Sequence, residues 1–434
     1  MDISRRDFIK TSSLFAAGMA LPSFANGSLS GVSANDTINV GLIGCKNMGW
    51  SDLSDFLPHK EIRCVALSDI DRNILNSRAA KLEKEMGVKP DLYNDYRKIL
   101  DRKDVDIVII GTPDHWHCLQ FTDACAAGKD IYVEKPLANS IAECDAMVAA
   151  AKKYDRIVQV GQQQRSGKLW KDMLDYIKTG ALGTIGNVHV WANFSYAALK
   201  NNVADSAVPE GVDYDMWLGP APQRAFNNQR YHGSWRMFWD YGGGLITDWG
   251  VHLLDMGLWG MDVKTTPLKV MATGGKFFYP DGAHETLDSL NVSYLFDNFI
   301  LSWSSCGGPD SGPYGKNYGV LFKGSKATLV ANRESWEVYP EGQQTPEITV
   351  KPDGRSHLDH VSNFLECVKT RKKETACTVE NGCLCAKYSH LGNIAARTNL
   401  ALTYNDAAQK FDESKANEYI KPKYRKPWKF PDVK

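Results

Sequence analysis

Residues 37–49, TINVGLIGCKNMG, pass from an apolar run into a glycine-bounded loop and then into a helical pattern. That succession predicts a strand, a tight turn and a helix whose first N–H groups face a ligand. Further apolar runs follow at 62–69 (IRCVALSD), 105–111 (VDIVIIG), 131–135 (IYVEK) and 157–162 (IVQVGQ). Helix-like stretches lie between them at 72–86, 115–127 and 140–154. Strands alternating with helices predict an α/β fold with a parallel sheet and right-handed crossovers. Strands apolar along their whole length fit a sheet covered on both faces.

The loop from Gly44 to Gly49 reads G-C-K-N-M-G. The dinucleotide fingerprint is G-x-G-x-x-G, in which the first glycine makes the turn, the second admits the pyrophosphate and the third packs helix on strand. Here Lys46 stands at the second glycine, so its backbone must keep clear of the phosphates or its ammonium contact them. Asn47 and Met48 complete the loop. Asp69 ends the second strand, where a carboxylate would bind the adenosine ribose. Its charge would repel a 2′-phosphate, which favours NAD over NADP. An ordinary strand–helix turn is the alternative.

The pattern changes after about residue 163. From 183 to 350 many short strand candidates are separated by Gly, Pro and Asn, which predicts a largely antiparallel sheet. An aromatic-rich insert occupies 213–241, and helices near 357–371 and 380–401 close this region. The domains expected are residues 36–162, 163–405 and an extended tail at 406–434. At 434 residues the chain has room for both. With 51 basic and 51 acidic residues, it has no field to attract nucleic acid or anionic lipid. The ten cysteines lack paired spacing, and Cys377, Cys383 and Cys385 have no second set at metal spacing.

Three stretches carry polar groups where a substrate would sit: 111–117 (GTPDHWH), 134–136 (EKP) and 242–255 (GGGLITDWGVHLLD). The first two follow strands of the parallel sheet, and ligands bind at that end. Thr112, Pro113 and Glu134 therefore face the cofactor. Lys135 lies between apolar strand residues and a proline, and its pKa should fall beside a cationic nicotinamide, suiting acid–base work. A salt bridge to a neighbouring carboxylate such as Glu134 is its bland alternative. Asp248 and His252 stand at i, i+4 on a helical pattern, where a carboxylate could fix the imidazole tautomer. A simple helix contact is the alternative, and no third ligand supports a metal. In the insert, His232, Trp235, Arg236 and Trp239 combine aromatic faces with donors, which suits a sugar ring or, equally, a packed core.

The leader, SRRDFIK followed by TSSLFAAGMALPSFA, has a charged start, an apolar middle and small residues Ser23 and Ala25 at its end. These are the parts of a secretory signal, too short for a membrane span. It resembles the twin-arginine signal, which exports folded proteins. Residues 1–25 are expected to be removed and the protein to work in the periplasm.

Taken together, the glycine loop, the TP-x-x-x-H stretch, EKP, GQQQR (161–165) and GGGLITDWGVHLLD resemble the Gfo/Idh/MocA family over about residues 36–405. Lys46 is the departure. The resemblance implies a Rossmann domain followed by an α+β domain with an open sheet used for oligomerisation, as a dimer or tetramer. It implies bound NAD and hydride exchange with a sugar or cyclitol. It matches Lys135 to the active-site lysine, with a cis bond to Pro136, and Asp248 and His252 to the Asp/His pair. His117, Gln163 and Arg165 match positions lining the same cleft, the first two toward cofactor and Arg165 toward substrate. The expected reaction is oxidation of a ring hydroxyl, C3 above others, Lys135 or His252 taking the proton and Asp248 orienting the imidazole. A glycosidase working by transient oxidation without net redox is the runner-up, and a non-catalytic sugar-binding protein the third reading.

Overall fold

The computed structural model describes residues 37–433. The expected leader at 1–25 lies outside the described residues. The first half alternates strand and helix: β1 (Ile38–Ile43), α1 (Asn47–Phe56), β2 (Ile62–Ser68), α2 (Arg72–Met86), β3 (Asp91–Tyr93), α3 (Arg97–Leu100), β4 (Ile107–Ile110), α4 (Asp114–Ala126), β5 (Asp130–Val133), α5 (Ile141–Lys153) and β6 (Val158–Val160). All pairs in this sheet are parallel, in the order β3-β2-β1-β4-β5-β6. The order reverses between β1 and β4, and at such a switch point the loops part and leave a crevice. β4 and β5 are buried at every position, as strands covered on both faces must be.

After α6 (Lys168–Lys178) the chain enters a second sheet. It contains β7 (Ile185–Asn193), then a short α7 (Tyr214–Leu218) and α8 (Val251–Gly260) on the way to β8 (Lys269–Gly275), β9 (Ser289–Leu295), β10 (Ile300–Cys306), β11 (Tyr318–Gly324), β12 (Ala327–Ala331), β13 (Trp336–Pro340) and β14 (Ile348–Val350). The order is β14-β13-β12-β11-β7-β10-β9-β8, antiparallel except where β7 runs parallel to β10. Along β9 and β10 the buried residues alternate (Leu290, Val292, Tyr294; Leu301, Trp303), so one face is core and the other is open.

Two helices follow. α10 (Val379–Thr398) lies between the halves, with Cys383 and Ala386 in the first core and Tyr388 and Leu391 in the second, and ends at Asn399 in the left-handed conformation (φ 56°). α9 (Ser356–Thr370) instead returns to the first sheet, where Phe364 meets Phe56 and Tyr132 edge-on. The tail also returns: the Arg425 N–H donates to Pro220 and Trp428 packs edge-on to Trp116. No described helix is long and apolar enough to cross a membrane.

Candidate active site

The first wall of the crevice is backbone. Gly44 ends β1 at φ +87°, a region that disfavours side chains. Gly49 crosses it so closely that a Cβ there would lie 2.1 Å from the Gly44 oxygen and 3.3 Å from the Gly111 Cα. A Cβ on Gly111 would in turn fall 2.4 Å from the Gly49 Cα. Three glycines thus bring α1 down between β1 and β4, and Gly111 is the member sequence spacing missed. Lys46 is accommodated because its backbone is ordinary extended chain (φ −99°, ψ 157°), so the second glycine is not needed for conformation. Its side chain does not cap α1, and the helix N-terminus stays open toward the groove. Asn47 takes φ 41°, which asparagine tolerates.

At the end of β2, Asp69 accepts from the Cys45 N–H (2.7 Å) and the Asp71 N–H (2.9 Å). Burial pushes its carboxyl up to about 6 against those two bonds. Lys46, Asn47, Met48, Asp69, Thr112, Pro113, Glu134, Lys135, His232, Trp235 and Arg236 share one groove with Gly44. The residues present therefore fit a dinucleotide: a tight glycine crossing, an uncapped helix start and an acid at the β2 tip.

The other end of the groove is an ionic cluster. Lys135 Nζ donates to the Asp248 carboxylate (2.8 Å) and to its carbonyl (2.8 Å). Asp248 also accepts from Arg236 Nε (3.2 Å) and the Tyr196 hydroxyl (2.8 Å). Burial alone would raise this carboxyl, but Lys135 and Arg236 hold it well below the usual carboxylate range. The Arg236 guanidinium lies 4.2 Å over Trp235. The carboxylate that pairs with Lys135 is Asp248 and not Glu134, which accepts from Gln163 (2.9 Å).

Several sequence-based placements change. Asp248 does not orient His252; its carboxylate oxygens are spent on Lys135, Arg236 and Tyr196. His252 is buried, its Nδ1 has no partner among the described residues, and burial with the nearby Lys135 and Arg333 charges lowers its pKa well below the ordinary value. Asp248 lies in a π-turn over Ile246–Gly250 that leads into α8, where His252 sits. Arg165 does not reach the groove: it grips the fully buried Asp255 through both Nε (2.9 Å) and Nη2 (2.6 Å) and covers Trp259. His117 is buried with its ring nitrogens 2.9 Å from the Pro136 oxygen and 2.8 Å from the Thr112 oxygen, tying two groove loops from beneath. Gln163 is likewise internal, held between Tyr132 and Glu134. Trp239 lies under Arg397 (4.4 Å), outside the groove. His232 sits at the Asp69 end rather than near Lys135, with its Nε2 2.9 Å from Asp71. There the insert is stitched to the first half by a bridge between Asp71 and Val212 and by the Arg72 N–H to Gly211. Tyr196 enters the site unannounced by any local motif, while Asp114 and Trp217 come from the 111–117 stretch and the aromatic insert without having been named individually.

Comparison with known proteins agrees with this architecture. A model described as the NAD-binding Rossmann fold of an oxidoreductase family matches residues 38–162, and one described as that family's C-terminal alpha/beta domain matches 171–430. An alpha-N-acetylgalactosaminidase of Shewanella oneidensis is 27% identical over 204 residues, 42% of this chain and 44% of that protein. The chain thus spans less than half the length of that curated relative. Among solved structures, the WlbA dehydrogenase of Bordetella pertussis with NADH and UDP-GlcNAcA superposes with a TM-score of 0.65 at 16% identity, covering 86% of this chain and 99% of that one. An aldose–aldose oxidoreductase of Caulobacter crescentus complexed with glycerol gives 0.61 at 21% identity, covering 85% and 99%. At these identities the likeness is one of fold.

Proposed function

Because the chain belongs to the Gfo/Idh/MocA oxidoreductase family, we propose that it is an NAD-dependent dehydrogenase oxidising a ring hydroxyl of a sugar or glycoside, C3 above others, to a keto-sugar. The observation that carries this reading is the Lys135 ammonium, pinned 2.8 Å from Asp248 at the rim of the dinucleotide groove. NAD, when bound, supplies reversible hydride acceptance. Gly44, Gly49 and the start of α1 would hold its pyrophosphate and Asp69 its ribose. Lys135 donates to the reacting hydroxyl oxygen and steadies the charge that develops there. His252, kept neutral by burial and neighbouring cations, takes the proton.

The insert, stitched over the Asp69 end, favours a cofactor that stays bound and is regenerated in place by a second sugar or another acceptor. The name of the Caulobacter neighbour describes such an exchange between aldoses. Action in the periplasm after twin-arginine export fits the same scheme. Exposed Met271, Leu295 and Ile300 on the second sheet suit a dimer or tetramer. A second reading is favoured by the name of the Shewanella relative: a glycosidase that oxidises, eliminates and reduces back without net redox.

The deciding experiment uses purified protein with no cofactor added. Absorbance near about 340 nm reports reduced nicotinamide. A rise with a glycoside, reversed by a keto-sugar, supports the dehydrogenase. Aglycone release with a flat trace supports the glycosidase, and neither signal defeats both.

Asp69 adds a pH dependence. Its folded value of about 6 lies above the unfolded value of about 3.9. This carboxyl therefore contributes stability at low pH and loses it as pH rises through about 6. Ribose binding needs the ionised form, so NAD affinity should weaken as pH falls through about 6, approaching tenfold per pH unit. Fluorescence titration of NAD from pH 8 to 5 checks this, and a flat profile refutes the ribose assignment.

A further inference from the structure

Arg333 follows β12 in a turn fixed by Asn332, whose side-chain oxygen accepts from the Glu334 and Ser335 N–H groups (both 3.0 Å). Its guanidinium lies 4.8 Å over the Trp249 ring, beside Asp248 in sequence. Trp249 is itself braced by Phe194 and Tyr318, each at 4.7 Å. Stacking holds the guanidinium plane and leaves its N–H edge free. No described carboxylate lies within ion-pair distance of it, and no hydrogen bond to its side chain is present among the described residues. Glu334, its neighbour in sequence, is taken by the Tyr318 hydroxyl (2.7 Å). Other half-buried arginines have partners: Arg165 has Asp255, Arg224 has Asp240 and Glu285, Arg230 has Asp205, and Arg78 and Arg156 donate to backbone carbonyls.

The surrounding charge is unbalanced in the same sense. Lys135 and Arg236 share the single carboxylate of Asp248. The other nearby carboxyls, Asp114 and Glu134, are buried and pushed toward their neutral forms. A partly desolvated cation without a partner is costly, and a ligand anion removes that cost.

We infer that Arg333 receives the acid group of an anionic carbohydrate, the planar guanidinium edge pairing with two oxygens of a carboxylate or sulfate. This rests on the carbohydrate reading above and narrows it from sugars in general to acidic ones. Trp249 supplies the apolar shelf and Arg333 the charge, with Lys135 and His252 left for the reacting hydroxyl.

The test is calorimetric titration of the NAD-loaded full-length protein with glucuronate, glucose 6-sulfate and glucose. At least one anionic sugar should bind roughly tenfold to a hundredfold tighter than glucose, as a charge-assisted bidentate pair implies. The advantage should shrink with added salt. Arg333→Gln should abolish it, and Arg333→Lys should keep part of it. NAD titration of each variant verifies folding. Equal affinity for charged and neutral sugars, no binding of any anionic sugar, or an undiminished preference in Arg333→Gln overturns the inference. Turnover of the same sugars is read separately, so failure of hydride transfer counts against the dehydrogenase and failure of the charge preference against Arg333.

Discussion

Replacing Lys135 with Ala should lower kcat/KM for the carbohydrate by about 10²–10⁴-fold while leaving NAD affinity within a few-fold of wild type. Two contacts place the ammonium, the Asp248 carboxylate and the Asp248 carbonyl, both at 2.8 Å. Its position is therefore set by a rigid turn from the second half and not by solvent. A fixed donor aimed at a developing oxyanion acts in the transition state, which is why the loss should appear in kcat. Asp248 keeps Arg236 and Tyr196 after the change, so its charge is not stranded and the fold should survive. Lys135→Met, which preserves most of the volume, guards against a packing artefact. Single-turnover reduction of bound cofactor is the readout. Either variant turning over within tenfold of wild type would remove Lys135 from the chemistry.

Gly49→Ala is the second large effect, and it acts on the fold and the cofactor together. The new methyl would lie 2.1 Å from a backbone oxygen, which cannot rotate away as a flexible side chain would. Helix α1 must back off from β1 and β4, and overpacking of this kind costs about 1–3 kcal/mol or more. The same shift carries the helix N–H groups away from the phosphates, so NAD affinity should fall by about 100-fold, on the order of 2.7 kcal/mol. Gly186→Ala is the control, because a Cβ there meets nothing within 4 Å. Thermal unfolding and NAD titration decide it. A Gly49→Ala protein with wild-type melting and affinity would show that the close crossing is not needed.

What was legible in the chain is what short-range pattern encodes. The run at 107–110 announces a buried strand because every residue is apolar, and that at 38–43 does so despite Asn39, which lies at its half-buried start. Asp69 and Lys135 are legible because each sits at a strand's end. The partnerships were not legible, since they span great sequence distance: Lys135 with Asp248 over 113 residues, Arg165 with Asp255 over 90. Arg165 and His117 were read as cleft residues because nothing local reveals that Asp255 or two carbonyls already occupy them. The i, i+4 spacing of Asp248 and His252 does not make a pair because partners distant in sequence, Lys135 and Tyr196, take the Asp248 oxygens together with Arg236. β3 escaped notice because its three residues, DLY, are too few to show a period. α9 looked like the close of the second domain, yet its apolar face, with Phe364, was made for the first sheet.

The insert that pairs Asp71 with Val212 and His232 has a bearing on how such a protein can change over time. Its groove is walled by Lys46 and Asp69 from one half and by Trp217, His232 and Trp235 from the other. Neither half carries a whole binding surface, so a recombinant joining one parent's first half to another's second would inherit mismatched walls. Modular exchange is closed to this architecture, and new specificities must arise by paired substitutions across the seam.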